Sequence, residues 1–110
     1  MNELMPLTDV WWDWEADRWD ASGLWLIADN DLTYHHAVEV TFSEVAWVAV
    51  ADRFHHPIFR PPMADEEQFA RQAGGQGLRI FTWDAETSTG AVPMMVVARS
   101  VQVVEGSFPR

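Results

Sequence analysis

Four histidines in two adjacent pairs, His35-His36 and His55-His56, are the side chains best suited to move a proton or hold a metal near neutral pH. Their spacing limits what they can do together. If 34–42 is a strand, neighbouring side chains face opposite sides, so His35 and His36 cannot serve one site. His35 shares its face with Glu39, but the two stand roughly 13 Å apart along a strand, too far to chelate one ion. His55 and His56 lie in a proline-rich stretch, from which they could fold back over a sheet to join His35. Imidazoles with a carboxylate suit zinc or another borderline divalent cation. Neither H-E-x-x-H nor H-x-H spacing occurs, so the expectation is structural or surface histidines, with no metal and no cofactor.

Arg60 stands among Phe54, Ile58, Phe59 and Pro61. A guanidinium in such company stacks, binds a carboxylate or clamps a loop to the body of the fold; the clamp is the favoured reading. Asp13, Glu15 and Asp17 line one face of an extended segment, without the glycine and closing glutamate of a calcium loop, and read as a solvated face. No serine sits in a nucleophile motif, and the chain has no cysteine, so nucleophilic and thiolate chemistry have no support.

Five of the seven tryptophans fall between Trp11 and Trp25, interleaved with acids. Some belong to a core, but such a group also suits an interface, where Trp acts as an anchor. The same third is the most acidic: residues 1–31 carry eight carboxylates against Arg18, the remainder nine against six arginines, and the net charge is −10. A field of that sign repels phosphate backbones and anionic lipid. The partner expected is therefore another protein, a basic one being favoured, with nucleic acid and membrane excluded and a homodimer allowed.

The elements that would position these residues follow from periodicity. Val10 to Asp17 alternates and reads as extended. Leu24 to Ala28 is a short strand, and Asp29-Asn30-Asp31 is turn chemistry. Tyr34, His36, Val38, Val40 and Phe42 alternate with His35, Ala37, Glu39 and Thr41, the pattern of a half-buried antiparallel strand. Ser43-Glu44 interrupts it, and Val45 to Val50 reads as a separate, central strand. Residues 52–64, with Pro57, Pro61 and Pro62, read as a long stiff loop.

Asp65 as N-cap with Gln68 predicts a short helix near 65–73, with Phe69 and Ala73 on its buried stripe and Gly74-Gly75 as its stop. Leu78 to Trp83 is a further strand, 84–90 a polar loop, and Ala91 to Val104 a long bent strand, leaving 105–110 as a frayed tail. At 110 residues, 48% of them hydrophobic, the chain suits one domain. Short strands and one helix predict an α+β fold dominated by antiparallel sheet, as a curled sheet, partial barrel or sandwich. Val38, Val40, Val48 and Val96 should be buried, and Glu39 and Thr41 more exposed.

The function expected is a non-catalytic, acidic protein-interaction domain, with a cytoplasmic location by elimination. The alternative is a small-molecule or metal-binding domain, enzymatic or not, built on an aromatic and histidine pocket. Candidate binding residues are His35, His55, His56, Arg60, Trp11 and Trp14. An enclosed pocket lined by Trp and His favours the alternative, and an open Trp-acid patch the first reading.

Overall fold

A computed structural model describes residues 2–74 and 77–109. Six strands, β1 (Asp13–Asp20), β2 (Gly23–Asp29), β3 (His35–Ala49), β4 (Arg53–Arg60), β5 (Arg79–Thr87) and β6 (Gly90–Pro109), form a closed antiparallel barrel in the order β1-β2-β3-β6-β5-β4. One helix, α1 (Ala64–Gly74), packs outside it against β3 and β6. The architecture is two three-stranded meanders, β1–β3 and β4–β6, stitched by a long β3–β6 ladder and a short β1–β4 seam.

The barrel interior is filled. Trp14, Leu24, Leu26, Val38, Val40, Phe42, Phe54, Phe81, Trp83 and Val96 are buried at its centre, and Leu4 and Leu7, the residue before the 3-10 turn Met5–Leu7 and the last residue in it, join the same cluster. Alternation explains the inward set: Leu24, Leu26 and Ala28 on β2 face Phe42, Val40 and Val38 on β3 in register. Glu39 and Thr41 are only partly buried, whereas Val38, Val40 and Val96 are closed off from solvent. Trp14 is closed off too, its indole N–H donating to the Trp11 carbonyl at 3.1 Å; it is core, not contact surface.

Tight connections hold the meanders. Asp20 and Gly23 pair across a two-residue turn, where the Asp20 carboxylate accepts the Ser22 N–H at 2.7 Å. At Gly23 a side chain is excluded, since a Cβ would lie 2.3 Å from the Phe42 carbonyl oxygen. Asp31 accepts the Thr33 N–H, the expected Asx chemistry, and Thr87 pairs with Gly90 across Ser88-Thr89.

Several sequence expectations are corrected. β1 begins at Asp13 rather than Val10, and a register shift between Ala16 and Arg18 ends its simple alternation. Ser43-Glu44 does not split a strand: β3 runs through it, with Glu44 at φ 52 and an irregularity between Val45 and Trp47. The Val45–Val50 portion is not central. Trp47 is exposed on its outer face against Phe69 of α1, 5.0 Å between ring centroids, and Val48 is only partly buried.

The proline loop is mostly strand β4. Pro57 is tolerated because the ladder to β5 takes an extra residue between His55 and Ile58, a bulge where a missing N–H costs no ladder bond. Residues 84–87 continue β5 instead of forming a loop. The expected tail ladders too, with Phe108 opposite His36 and Pro109 opposite His35; Arg110 lies outside the described residues.

The helix starts earlier than its predicted cap. The Glu66 carboxylate accepts the Met63 N–H at 2.8 Å while the Met63 carbonyl accepts the Glu67 N–H, so Met63 holds the N-cap position. Asp65, Glu66 and Glu67 in the first turn suit the positive end of the helix dipole. Ala70, not Phe69, is its buried residue. Gly74 ends the described helix where a Cβ would lie 2.8 Å from both Leu78 and Val97, so glycine permits the close approach of helix to barrel; Gly75 lies outside the described residues.

Candidate functional site

The chemistry-bearing residues collect on the outside of the β1–β4 seam. Asp13 pairs with His55 and Trp14 with Phe54. Alternation sends Trp14 and Phe54 inward, where their rings stack 5.9 Å apart, and leaves Asp13 and His55 on the outer side. The seam continues where the His56 N–H donates to the Trp12 carbonyl at 2.9 Å. Trp12, half-exposed at 49%, lies flat on both imidazoles: its centroid is 5.6 Å from each, with the planes 14° from His55 and 24° from His56.

The bulge makes this possible. His56 adopts φ 49, an uncommon left-handed conformation for a non-glycine residue. That setting puts two adjacent histidines against one indole, which a flat strand would forbid. His56 Nε2 bonds to the carboxylate of Asp9, itself at φ 64, and Nδ1 lies 4.0 Å from Glu86. Asp13 approaches His55 Nδ1 at 3.4 Å without hydrogen-bond geometry. Trp12 and its two histidines are thus ringed by Asp9, Asp13 and Glu86.

Beside them a shallow cleft of about 170 Å³ is lined by His56, Ile58, Asp84, Ala85, Glu86 and Ala91. Its floor is apolar and its ionisable groups are carboxylates and an imidazole. Arg60 borders this region through Asp84 but is fully engaged. Nε and Nη2 donate to Asp84 at 2.9 and 3.2 Å, and Nη1 and Nη2 to Glu66 at 2.7 and 3.0 Å. The two forks tie β4, β5 and α1 together, so Arg60 acts as the clamp read from the sequence. Its guanidinium holds the Glu66 carboxyl below the usual carboxylate range.

The other candidates are elsewhere. His35 is exposed opposite Pro109 on the β3–β6 ladder, across the barrel from β4, so it does not join His55 and His56. His36 is buried, stacked 5.0 Å from Phe108 with Nε2 3.3 Å from Glu39 and Nδ1 lacking a hydrogen-bond partner. Trp11 is partly buried against the core. Among the described residues no three metal-ligating side chains converge, and no helix is long and apolar enough to cross a membrane.

Sequence reasoning missed Asp9, Trp12 and Glu86 as members of the site. Asp9 and His56 meet across 47 residues of sequence, both in left-handed backbone, and no local pattern in the sequence marks that pairing. Comparison with family models, with curated proteins and with solved structures gives no match.

Proposed function

We propose that this barrel is a non-catalytic interaction domain whose Trp12-His55-His56 surface receives a basic segment of a protein partner. The observation that carries the reading is the half-exposed Trp12 indole set among the carboxylates of Asp9, Asp13 and Glu86, beside an apolar cleft rimmed by Asp84 and Glu86. An arginine or lysine side chain suits such a place. Its alkyl stem covers the apolar floor, its charge meets the carboxylates, and the indole face attracts the cation.

Two further features support it. Asp9 and His56 both hold left-handed backbone and touch each other, and uncommon backbone conformations concentrate at ligand clamps and active sites. The net charge of −10 steers cationic partners toward the molecule and keeps nucleic acid away. The small-molecule alternative has weaker support, because the aromatic interior is packed and the histidine cleft is shallow.

The test is a titration with a short arginine-rich peptide, followed by NMR of the Trp indole and His ring signals. Shifts confined to Trp12, His55 and His56, abolished by Trp12→Ala and by high salt, are expected. Absence of any shift in these rings at millimolar peptide would overturn the reading.

A further inference from the structure

The two long strands are not paired along their whole length. β6 pairs with β5 through residues 90–98 and with β3 through 95–109. From residue 99 onward, no strand among the described residues pairs with the side of β6 turned away from β3. No hydrogen bond from another described residue reaches its main chain there. Donors and acceptors along 99–108 therefore form a sheet edge, as those of β3 beyond residue 42 do on the side away from β6, where α1 packs nearby.

Edges of this kind are ordinarily blunted by charges, proline or a covering element. Residues 99–108 contain two charged side chains, Arg99, which also pairs with Glu44, and Glu105, and no proline. Val101 and Val103 pack partly against the core, while Val104, 41% exposed, stands outward. In a chain of net charge −10, this is a segment where a like-charged body meets little repulsion.

We propose that the edge binds a second copy of this chain, antiparallel, across a twofold axis at Gln102. An antiparallel edge is self-complementary, as a twofold contact requires. The axis at Gln102 is chosen by charge. It places Arg99 opposite Glu105 of the partner subunit at both ends, Val101 opposite Val103 of the partner subunit, and Ser100 opposite Val104 of the partner subunit. Arg99 and Glu105 are the only charged residues in 99–108, and a register centred on Val101 or Val103 leaves each of them opposite an uncharged residue. The β1-β2-β3-β6 part of each barrel then becomes half of one continuous sheet. The surface is distinct from the Trp12 cluster, so this inference and the proposed function stand or fall separately.

Sedimentation equilibrium of the full chain over the micromolar to millimolar range is the test, with thermal melts showing that each variant folds. The wild type is expected to dimerise, with Arg99→Glu and Glu105→Arg each weakening self-association by at least about tenfold, since like charges then oppose at both ends. An equimolar mixture of the two single variants should form a heterodimer, because every cross-strand pair is again opposite in sign. The double variant should recover the homodimer. A monomer at every concentration, a dimer indifferent to both reversals, or reversals that neither the mixture nor the double variant rescues would overturn the proposal.

Discussion

Trp14 and Phe54 stack across the β1–β4 seam with ring centroids 5.9 Å apart and planes 16° from parallel, and both are closed off from solvent. The seam is short, three registered pairs, so the aromatic contact beneath it carries much of the closure. Phe54 also meets Trp83 at 5.8 Å. Phe54→Ala removes both contacts and should destabilise the fold by about 3–5 kcal/mol, a large share of the roughly 5–15 kcal/mol of such a domain. Urea unfolding is the measurement, and a midpoint within error of the wild type would show that the seam does not depend on this pair.

The Arg60–Glu66 fork gives stability a pH dependence of known sign. Arg60 depresses the Glu66 carboxyl in the folded state, whereas an unfolded glutamate titrates near about 4.3. The contribution is therefore complete above that value and is lost as pH falls through the folded-state pKa. Glu3, held down to about 2 by Arg79, acts with the same sign but on an exposed pair worth little. Glu66→Gln should cost about 1.5–3 kcal/mol at neutral pH and flatten the acid limb of the stability curve. Parallel acid limbs for the two proteins would remove Glu66 from this role.

Gly23 is a position where a methyl group has nowhere to go. Its φ is +149 and a Cβ would sit 2.3 Å from a main-chain oxygen of β3. Gly23→Ala should lower stability by about 1–3 kcal/mol or more, by forcing β2 away from β3. Gly90, with open space around its Cβ position but φ +119, should lose less on the same substitution. Equal losses at the two sites would mean that backbone conformation, not the clash, governs both.

Charge makes a prediction about nucleic acid that needs no site. With net charge −10 and no lysine, the domain should show no gel shift with random-sequence duplex at physiological salt, even at tens of micromolar protein. A discrete retarded band under those conditions would contradict the electrostatic argument.

How much of this was legible depended on whether one face of a segment met water. The alternation through Val38, Val40 and Phe42 stated both strand and buried face, because β3 has solvent on its other side there. Val45–Val50 misled because its apolar residues serve two masters: Val45, Val48 and Val50 approach the core, while Trp47 receives the helix from outside. Pro57 hid β4, since a proline reads as a breaker unless the bulge that accommodates it is known. The helix was visible from its acids and glycines, yet its cap fell to Met63, which supplies only main-chain groups.

For the candidate site, composition pointed to the histidines and the tryptophan group. The feature that selects Trp12 over Trp11 and Trp14 did not show, because Trp12 sits in a bend just before β1, where strand alternation no longer decides which way a side chain faces. Trp14 turns inward, Trp12 lies outside, and Trp11 is caught between. Arg60 was readable as a clamp from its aromatic neighbours, but its two carboxylate partners are on other elements and only the fold brings them in.

The two-meander plan has a kinetic consequence. Each half is local, strand following strand, and forms without long chain closures. Joining them is not: Asp13 meets His55 only after β2 and β3 have intervened, and His35 meets the far end of the chain. A barrel whose closure rests on such sequence-distant ladders belongs with the slow-folding topologies, taking milliseconds to seconds rather than microseconds, about 10⁰–10³ s⁻¹ in rate. Until those ladders form, the strand edges that they join stay open to other chains.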